Sequence, residues 1–169
     1  MGCVMSFSLI PDYHFRKVTD ITPDFLKSAS ISLLLLDLDN TIMPYGVRMP
    51  DPSFSHWVSE MQQAGITLYI VSNSHGTRPE TLSKAVGIDF INRAGKPSRR
   101  GILKAMEQVG RDTSETALAG DQIYTDVLAA NRSGITSLMV QPISLKNPLL
   151  AVRYVLEIPF RLLRRHKMW

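Results

Sequence analysis

A single cysteine, Cys3, stands among 169 residues, which excludes an internal disulfide and any cysteine-based zinc site. No uninterrupted apolar run exceeds four residues, the length of Leu33-Leu34-Leu35-Leu36 before Asp37. Crossing a bilayer takes roughly 20 such residues, so no transmembrane helix is expected. Low-complexity stretches and internal periods are also missing, which removes disordered, collagenous and solenoid readings. The opening MGCVMSFSLIPDYHF has neither a basic leader nor a long apolar segment, and a cytoplasmic protein is expected, peripheral at the inner membrane surface if its tail engages lipid. With 44% hydrophobic and 20% charged residues, the chain has the composition of one globular domain. We expect a lead-in over 1–30, a core over 31–140 and a tail over 146–169.

The formal net charge of +4 is unevenly distributed. Residues 151–169 carry five basic side chains against Glu157 alone, whereas residues 1–150 balance at fourteen basic and fourteen acidic. The basicity belongs to the tail.

Hydrophobic patterning gives the fold class. Residues 31–36, apolar apart from Ser32, form a run of strand length, as in a strand buried on both faces. Phe54, Trp57, Val58 and Met61 recur at spacings of three and four and stop at Gly65, an amphipathic helix over 51–64. Strands are then expected at 66–71, 88–91, 116–119 and 135–140, with helices over 77–86, 98–109 and 124–132 closed by Gly87, Gly110 and Gly134. In the lead-in, Thr22-Pro23-Asp24 marks one short helix and no strand is expected. Strict alternation of strand and helix argues for an α/β fold, a doubly wound, mostly parallel sheet with helices on both faces.

Such sheets place their chemistry beyond the carboxyl ends of the strands. After the first core strand stands Asp37-Leu38-Asp39-Asn40-Thr41, where alternation puts Asp37 and Asp39 toward one site. Two carboxylates so close repel, and a divalent cation would offset the repulsion. After the next strand come Ser72-Asn73-Ser74, donors suited to a phosphate oxygen and equally suited to capping a helix. Lys96, between Gly95 and Pro97, puts a cation near a helix start, although a lone lysine is ordinarily solvated surface. Gly120-Asp121 and Asp126 follow the fourth core strand. Asp121 suits a magnesium site, whereas Asp126 suits either a helix cap or a salt bridge.

The order D-x-D-x-T, Ser, Lys, G-D-x-x-x-x-D resembles the haloacid dehalogenase-like phosphohydrolase superfamily, whose four motifs match Asp37 to Thr41, Ser72, Lys96 and Gly120 to Asp126. Response-regulator receivers use similar residues, but there the lysine comes last, whereas Lys96 precedes the final acidic pair. The whole chain most closely resembles the short, uncapped YqeG-type subgroup of subfamily IIIA, whose relatives include phosphatases acting on phosphatidylglycerophosphate. The resemblance implies a magnesium-dependent phosphomonoester hydrolase with Asp37 as nucleophile and Asp39 as acid-base partner. It further implies Mg2+ on Asp37, Asp39 (through its carbonyl) and Asp121, with phosphate held by Ser72, Asn73 and Lys96. Thr41 and Asp126 would support, Asp126 by orienting Lys96 or a metal-bound water.

No segment between motifs is long enough for a cap domain: 42–66 holds one helix, and 74–95 one helix and a short strand. An uncapped site suits a lipid head group, and also a phosphoprotein, a nucleic-acid end or another phosphometabolite. His75, Gly76 and Arg78 could border the entrance, Arg99 and Arg100 could add positive field, and Tyr45 could cover the site; each reads equally as ordinary surface or packing.

In the tail, Leu149, Val152, Leu156, Phe160 and Leu163 repeat at helical spacing beside Arg153, Glu157, Arg161 and Arg164, and the chain continues Arg165-His166-Lys167-Met168-Trp169. A basic amphipathic helix of this kind suits peripheral contact with an anionic membrane. The competing expectation is that the apolar stripe docks on the protein's own core, with Pro159 kinking or ending the helix. A fold-preserving, non-catalytic binding module is the functional alternative. No strong nucleic-acid signal is present, and oligomeric state is not legible.

Overall fold

The structure is a computed structural model and describes residues 7–163. Cys3 and the basic run 164–167 lie outside the described residues.

Six parallel strands form one sheet in the order β1-β6-β5-β2-β3-β4. They are β1 (Tyr13–Phe15), β2 (Leu33–Leu36), β3 (Thr67–Val71), β4 (Asp89–Ile91), β5 (Thr116–Gly120) and β6 (Thr136–Val140). The helices are α1 (Pro23–Ser28), α2 (Pro52–Gln63), α3 (Arg78–Val86), α4 (Arg100–Val109), α5 (Leu128–Ser133) and α6 (Pro148–Arg161).

The leucine run of β2 lies at the centre, pairing β3 on one side and β5 on the other. Its side chains alternate between two cores. Leu34 and Leu36 pack with Phe54, Trp57 and Met61 of α2, and Leu33 and Leu35 with Ile102 and Ala105 of α4 and Ala129 and Ala130 of α5. Coverage on both faces is why the strand is continuously apolar rather than alternating. From β2 the chain winds outward to β3 and β4, then returns to the other side of β2 for β5 and β6. This reversal opens a crevice at the carboxyl ends of β2 and β5, where Asp37 and Asp121 leave the sheet.

Local chemistry sets the helix ends. Asp51 caps α2 by accepting from the Ser53 N–H at 2.9 Å, with Pro52 in the first turn. The Trp57 indole donates to the Ile21 carbonyl at 2.8 Å, tying α2 to the lead-in.

Two elements depart from the sequence expectation. The lead-in contributes an edge strand, β1, parallel to β6. Three residues carry too little pattern to mark a strand, and the pairing rests on tertiary contacts. Asp12 is buried, its Oδ2 accepting from the Ser137 N–H and hydroxyl, each at 2.9 Å, and Phe25 of α1 packs edge-on against Tyr13 and Phe15. The segment after β5 begins not as an α-helix but as a π-helical turn, Ile123–Val127, in which the N–H groups of Asp126 and Val127 both donate to the Gln122 carbonyl. The extra residue of such a turn re-aims the side chains it carries, here Asp126.

The tail helix is also seated differently from the packing expectation. Its polar side chains Glu157 and Arg161 are buried, while most of its apolar stripe faces outward, Leu149 being 80% exposed. From that stripe Phe160 alone packs inward, against the cluster of Ile123, Val127 and Met139. Pro159 lies within α6, which continues to Arg161.

Replacing Asp12 by Ala removes the acceptor that Ser137 uses in a dry setting, and is expected to cost about 1–3 kcal/mol. The urea unfolding midpoint should fall while turnover at the distant crevice stays unchanged.

Candidate active site

At the end of β2 the Asp37 N–H donates to the Ala119 carbonyl at 2.9 Å, extending the ladder and fixing the Asp37 backbone beside β5. Asn40 then takes a left-handed conformation with φ 64°, which asparagine tolerates better than most residues. Its side chain donates to the Ser144 carbonyl at 2.7 Å and accepts from the Ser144 N–H at 3.2 Å. The loop after β2 is thereby clipped to the loop that leads into α6.

Around this turn the structure gathers Asp37, Thr41, Lys96, Asp121 and Asp126, all buried. The Lys96 ammonium lies 2.6 Å from Asp37 Oδ1 and 2.7 Å from Asp126 Oδ1. Thr41 donates to Asp37 Oδ2 at 3.2 Å and stands 3.5 Å from Asp121 Oδ1. Carboxylate oxygens of Asp37, Asp121 and Asp126 all lie within 4.8 Å of one another.

Asp37 and Asp126 share one buried ammonium, with Asp121 beside them, and the burial shifts the acidity of Asp121 and Asp126. Burial raises the Asp121 pKa well above its ordinary value, and Asp37 and Asp126 add to the rise. Asp126 is also raised, by burial first, with Lys96 opposing and Asp37 adding. Burial alone would favour neutral Lys96, but Asp126 and Asp37 outweigh it and hold the ammonium charged. Asp126 has protein partners on both oxygens, Lys96 on Oδ1 and the Gln122 N–H on Oδ2 at 3.1 Å. Asp121 Oδ2, in contrast, is buried with no hydrogen-bond partner and has Arg153 no closer than 4.0 Å. An orphaned carboxylate oxygen beside a second carboxylate, with hard oxygen donors throughout, fits a divalent cation.

Asp39 is half-buried at the mouth. Arg78 forms an ion pair with its Oδ1 and also donates to the carbonyls of Val47 at 2.8 Å and Pro44 at 2.9 Å, pinning the 44–47 loop over the crevice. The Asp39 pKa is raised because burial outweighs Arg78. Ser72 is buried at the end of β3, its hydroxyl accepting from the Ser74 N–H at 3.0 Å. The Asn73 amide makes a reciprocal pair with the main chain of Lys96, donating to its carbonyl at 2.9 Å and accepting from its N–H at 2.8 Å. Its side chain is therefore engaged in positioning Lys96, a use that its expected role as a phosphate donor did not include.

Above the carboxylates opens a pocket of about 240 Å3, lined by Asp37, Asp39, Tyr45, Asn73, Ser74, Lys96, Gln122, Thr125 and Arg153. The Tyr45 phenol is pushed up to about 12, by burial and then by Asp121, Asp39 and Asp37, and stays a donor. Arg153, read in the sequence only as tail charge, lines the same pocket.

Sequence reasoning also missed Glu157 and Arg161. Glu157 is 0% exposed; its Oε1 accepts from the Ile123 N–H at 3.1 Å and its Oε2 from Arg161 at 2.6 Å. Arg161 in turn donates to the Asp121 carbonyl and stacks over Tyr154, 4.3 Å from the ring centroid. The tail thus clamps the loop that carries Asp121. The i, i+4, i+8 spacing of Arg153, Glu157 and Arg161 was the available signal, and it reads identically on a solvated face.

Residues 24–134 match the family model of the haloacid dehalogenase-like hydrolases, and the chain belongs to that family. Over 135 residues it is 33% identical to the probable phosphatase YqeG of Bacillus subtilis (strain 168), covering 80% of this chain and 78% of that protein. It is 26% identical over 171 residues to phosphatidylglycerophosphate phosphatase 1, chloroplastic/mitochondrial, of Arabidopsis thaliana, covering 93% of this chain and 48% of that one. Among solved structures, the cobalt-bound deoxy-D-mannose-octulosonate 8-phosphate phosphatase of Haemophilus influenzae shares the fold with a TM-score of 0.56 and 15% identity, over 66% of this chain and 70% of that one. The chain is a phosphatase of its family, a phosphoric monoester hydrolase.

Gly120 makes the buried arrangement possible, since a Cβ there would overlap the Asp126 side chain. Gly120→Ala should displace Asp126 and, through it, Lys96. A shift of about 1 Å at such a site costs on the order of 100-fold in rate, so phosphate release should fall by about that factor while circular dichroism remains that of the folded protein.

Proposed function

We propose that the protein hydrolyses phosphomonoesters through an aspartyl-phosphate on Asp37, with phosphatidylglycerophosphate or a closely related lipid phosphomonoester as substrate. The observation that carries the reading is the Asp37 carboxylate at the floor of an open pocket, 2.6 Å from the Lys96 ammonium and beside the orphaned Asp121 oxygen.

In this reading the Asp37 carboxylate attacks phosphorus and the bond from phosphorus to the ester oxygen breaks. Asp39 gives a proton to the departing oxygen, a role that the upward shift from its burial assists. A water then attacks phosphorus, Asp39 takes its proton back, and the bond to Asp37 breaks to release inorganic phosphate. Lys96 and the main chain after β3 hold the non-bridging oxygens, and Asp126 and Asn73 keep Lys96 in place. Asp37, Asp121 and the Asp39 carbonyl would hold Mg2+, which when bound supplies positive charge that screens the carboxylates from the phosphate dianion. Arg78 would restrain Asp39 between the two proton transfers.

The lipid substrate is supported by the name of the plant relative, by the lack of any cap between β2 and β3 beyond α2, and by Arg153 at the mouth, a cation available to a second phosphate. The alignment covers 93% of this chain and 48% of that relative, so the chain spans about half of the plant protein's length.

Phosphate release from a soluble aryl phosphate should require added Mg2+ and vanish with chelator. Asp37→Asn should lower it by about a thousandfold or more, and Asp39→Asn by about 100- to 10,000-fold. Equal release by Asp37→Asn and the unmutated enzyme would refute the mechanism. Comparing phosphatidylglycerophosphate vesicles with a phosphopeptide and a 3′-phosphorylated oligonucleotide tests the substrate, the vesicles being expected to give the highest kcat/KM.

A further inference from the structure

Among the described residues, twelve of the fourteen exposed large apolar side chains fall in two short segments, 45–49 and 143–163. Both segments border the catalytic mouth. Tyr45 and Arg153 both line the site pocket, and residues of both segments, Pro44, Tyr45 and Val47 with Ile143, Lys146 and Leu150, line a neighbouring groove of about 570 Å3. Apolar surface on a protein of this size is ordinarily scattered, and its concentration around one opening calls for an occupant.

The way α6 is seated explains how this surface arises. Glu157 and Arg161, one turn apart, point inward to the Asp121 loop, and at 100° per residue the apolar positions 149, 152, 155, 156, 158 and 162 fill roughly half the circumference on the far side. The helix spends its charges on holding the site and leaves its hydrophobic arc outside. The same two segments contain no exposed acid. Residues 40–50 have none, and Glu157, the sole acid in 141–163, is fully buried. Their exposed charges are Arg48 and Lys146, and the sequence continues Arg164-Arg165-His166-Lys167. Apolar side chains mixed with lysine and arginine and devoid of carboxylates match the boundary of an anionic bilayer, where apolar groups enter the acyl region and cations meet headgroup phosphates. A second copy of the chain would meet the same positive charge, which disfavours self-association through this face.

We infer that the outer arc of α6 and the 44–49 loop form a single membrane-docking face that seats the catalytic mouth directly on an anionic lipid surface. Lipid phosphomonoesters then reach Asp37 without leaving the bilayer, and Arg153 stands between docking face and pocket. The inference rests on the lipid reading above for its purpose, but its test uses membranes that contain no phosphomonoester.

Flotation of the full chain with phosphatidylserine/phosphatidylcholine vesicles should carry the protein to the top fraction, and pure phosphatidylcholine should carry much less. The double variant Leu149→Glu/Leu156→Glu changes two exposed side chains that touch no catalytic group. It should lose at least about tenfold in vesicle partitioning while hydrolysing the soluble aryl phosphate at the unmutated rate. Failure of the unmutated chain to float, flotation of the variant equal to it, or a dimer in solution that the double substitution dissociates would each overturn the docking face. Vesicle binding lost in the variant, in a protein that releases no phosphate, would leave the docking face standing and remove the hydrolytic reading.

Discussion

Everything at the crevice depends on one ammonium shared by buried carboxylates. Lys96 is held between Asp37 and Asp126, with Asp121 close by and its Oδ2 lacking a hydrogen-bond partner. Like charges in a dry setting repel strongly, and Lys96 pairs with only two of the three carboxylates. The unpaired Asp121 oxygen makes the site receptive to a further cation, and the fixed ammonium keeps it receptive to a phosphate. The surroundings serve this arrangement: Gly120 leaves room for Asp126, the π-helical turn aims it, and Asn73 locks the Lys96 main chain.

The second constraint is the clamp from the tail. Asn40 joins the turn after β2 to the loop before α6, and Glu157 with Arg161 joins α6 to the loop after β5. The two acid-bearing loops, from strands far apart in sequence, are thereby tied to one helix. A surface that engaged α6 from outside would press on the same helix that holds Asp121 from inside, which gives the docking face and the catalytic centre a common mechanical element.

Much of the core was legible because parallel strands covered on both faces leave a strong trace. Four leucines running into Asp37, and glycine stops after α3, α4 and α5, mark their elements without reference to anything distant. Tyr13–Phe15 left no such trace, since an edge strand of three residues is defined by Asp12 meeting Ser137 rather than by its own pattern. The π-helical turn was equally invisible, because one extra residue in a turn alters direction without altering periodicity. Asp37, Asp39 and Asp121 stood out by their position after strands. Arg78 was noticed only as a bystander at the entrance, and Arg153, Glu157 and Arg161 only as tail charge, since their partners lie 31 to 40 residues away in the chain.

By itself the sequence determined the alternation of strand and helix, the acidic pair after the first core strand, and an amphipathic tail with all the net charge. Those properties depend on neighbours within a few residues, where periodicity and turn chemistry act. Tertiary structure alone decided which stripe of the tail faces inward, that one Asp121 oxygen is left without a hydrogen-bond partner, and that Asn73 serves Lys96. Each of these depends on desolvation and on partners brought together by the return of the chain across the sheet, and no local pattern encodes either.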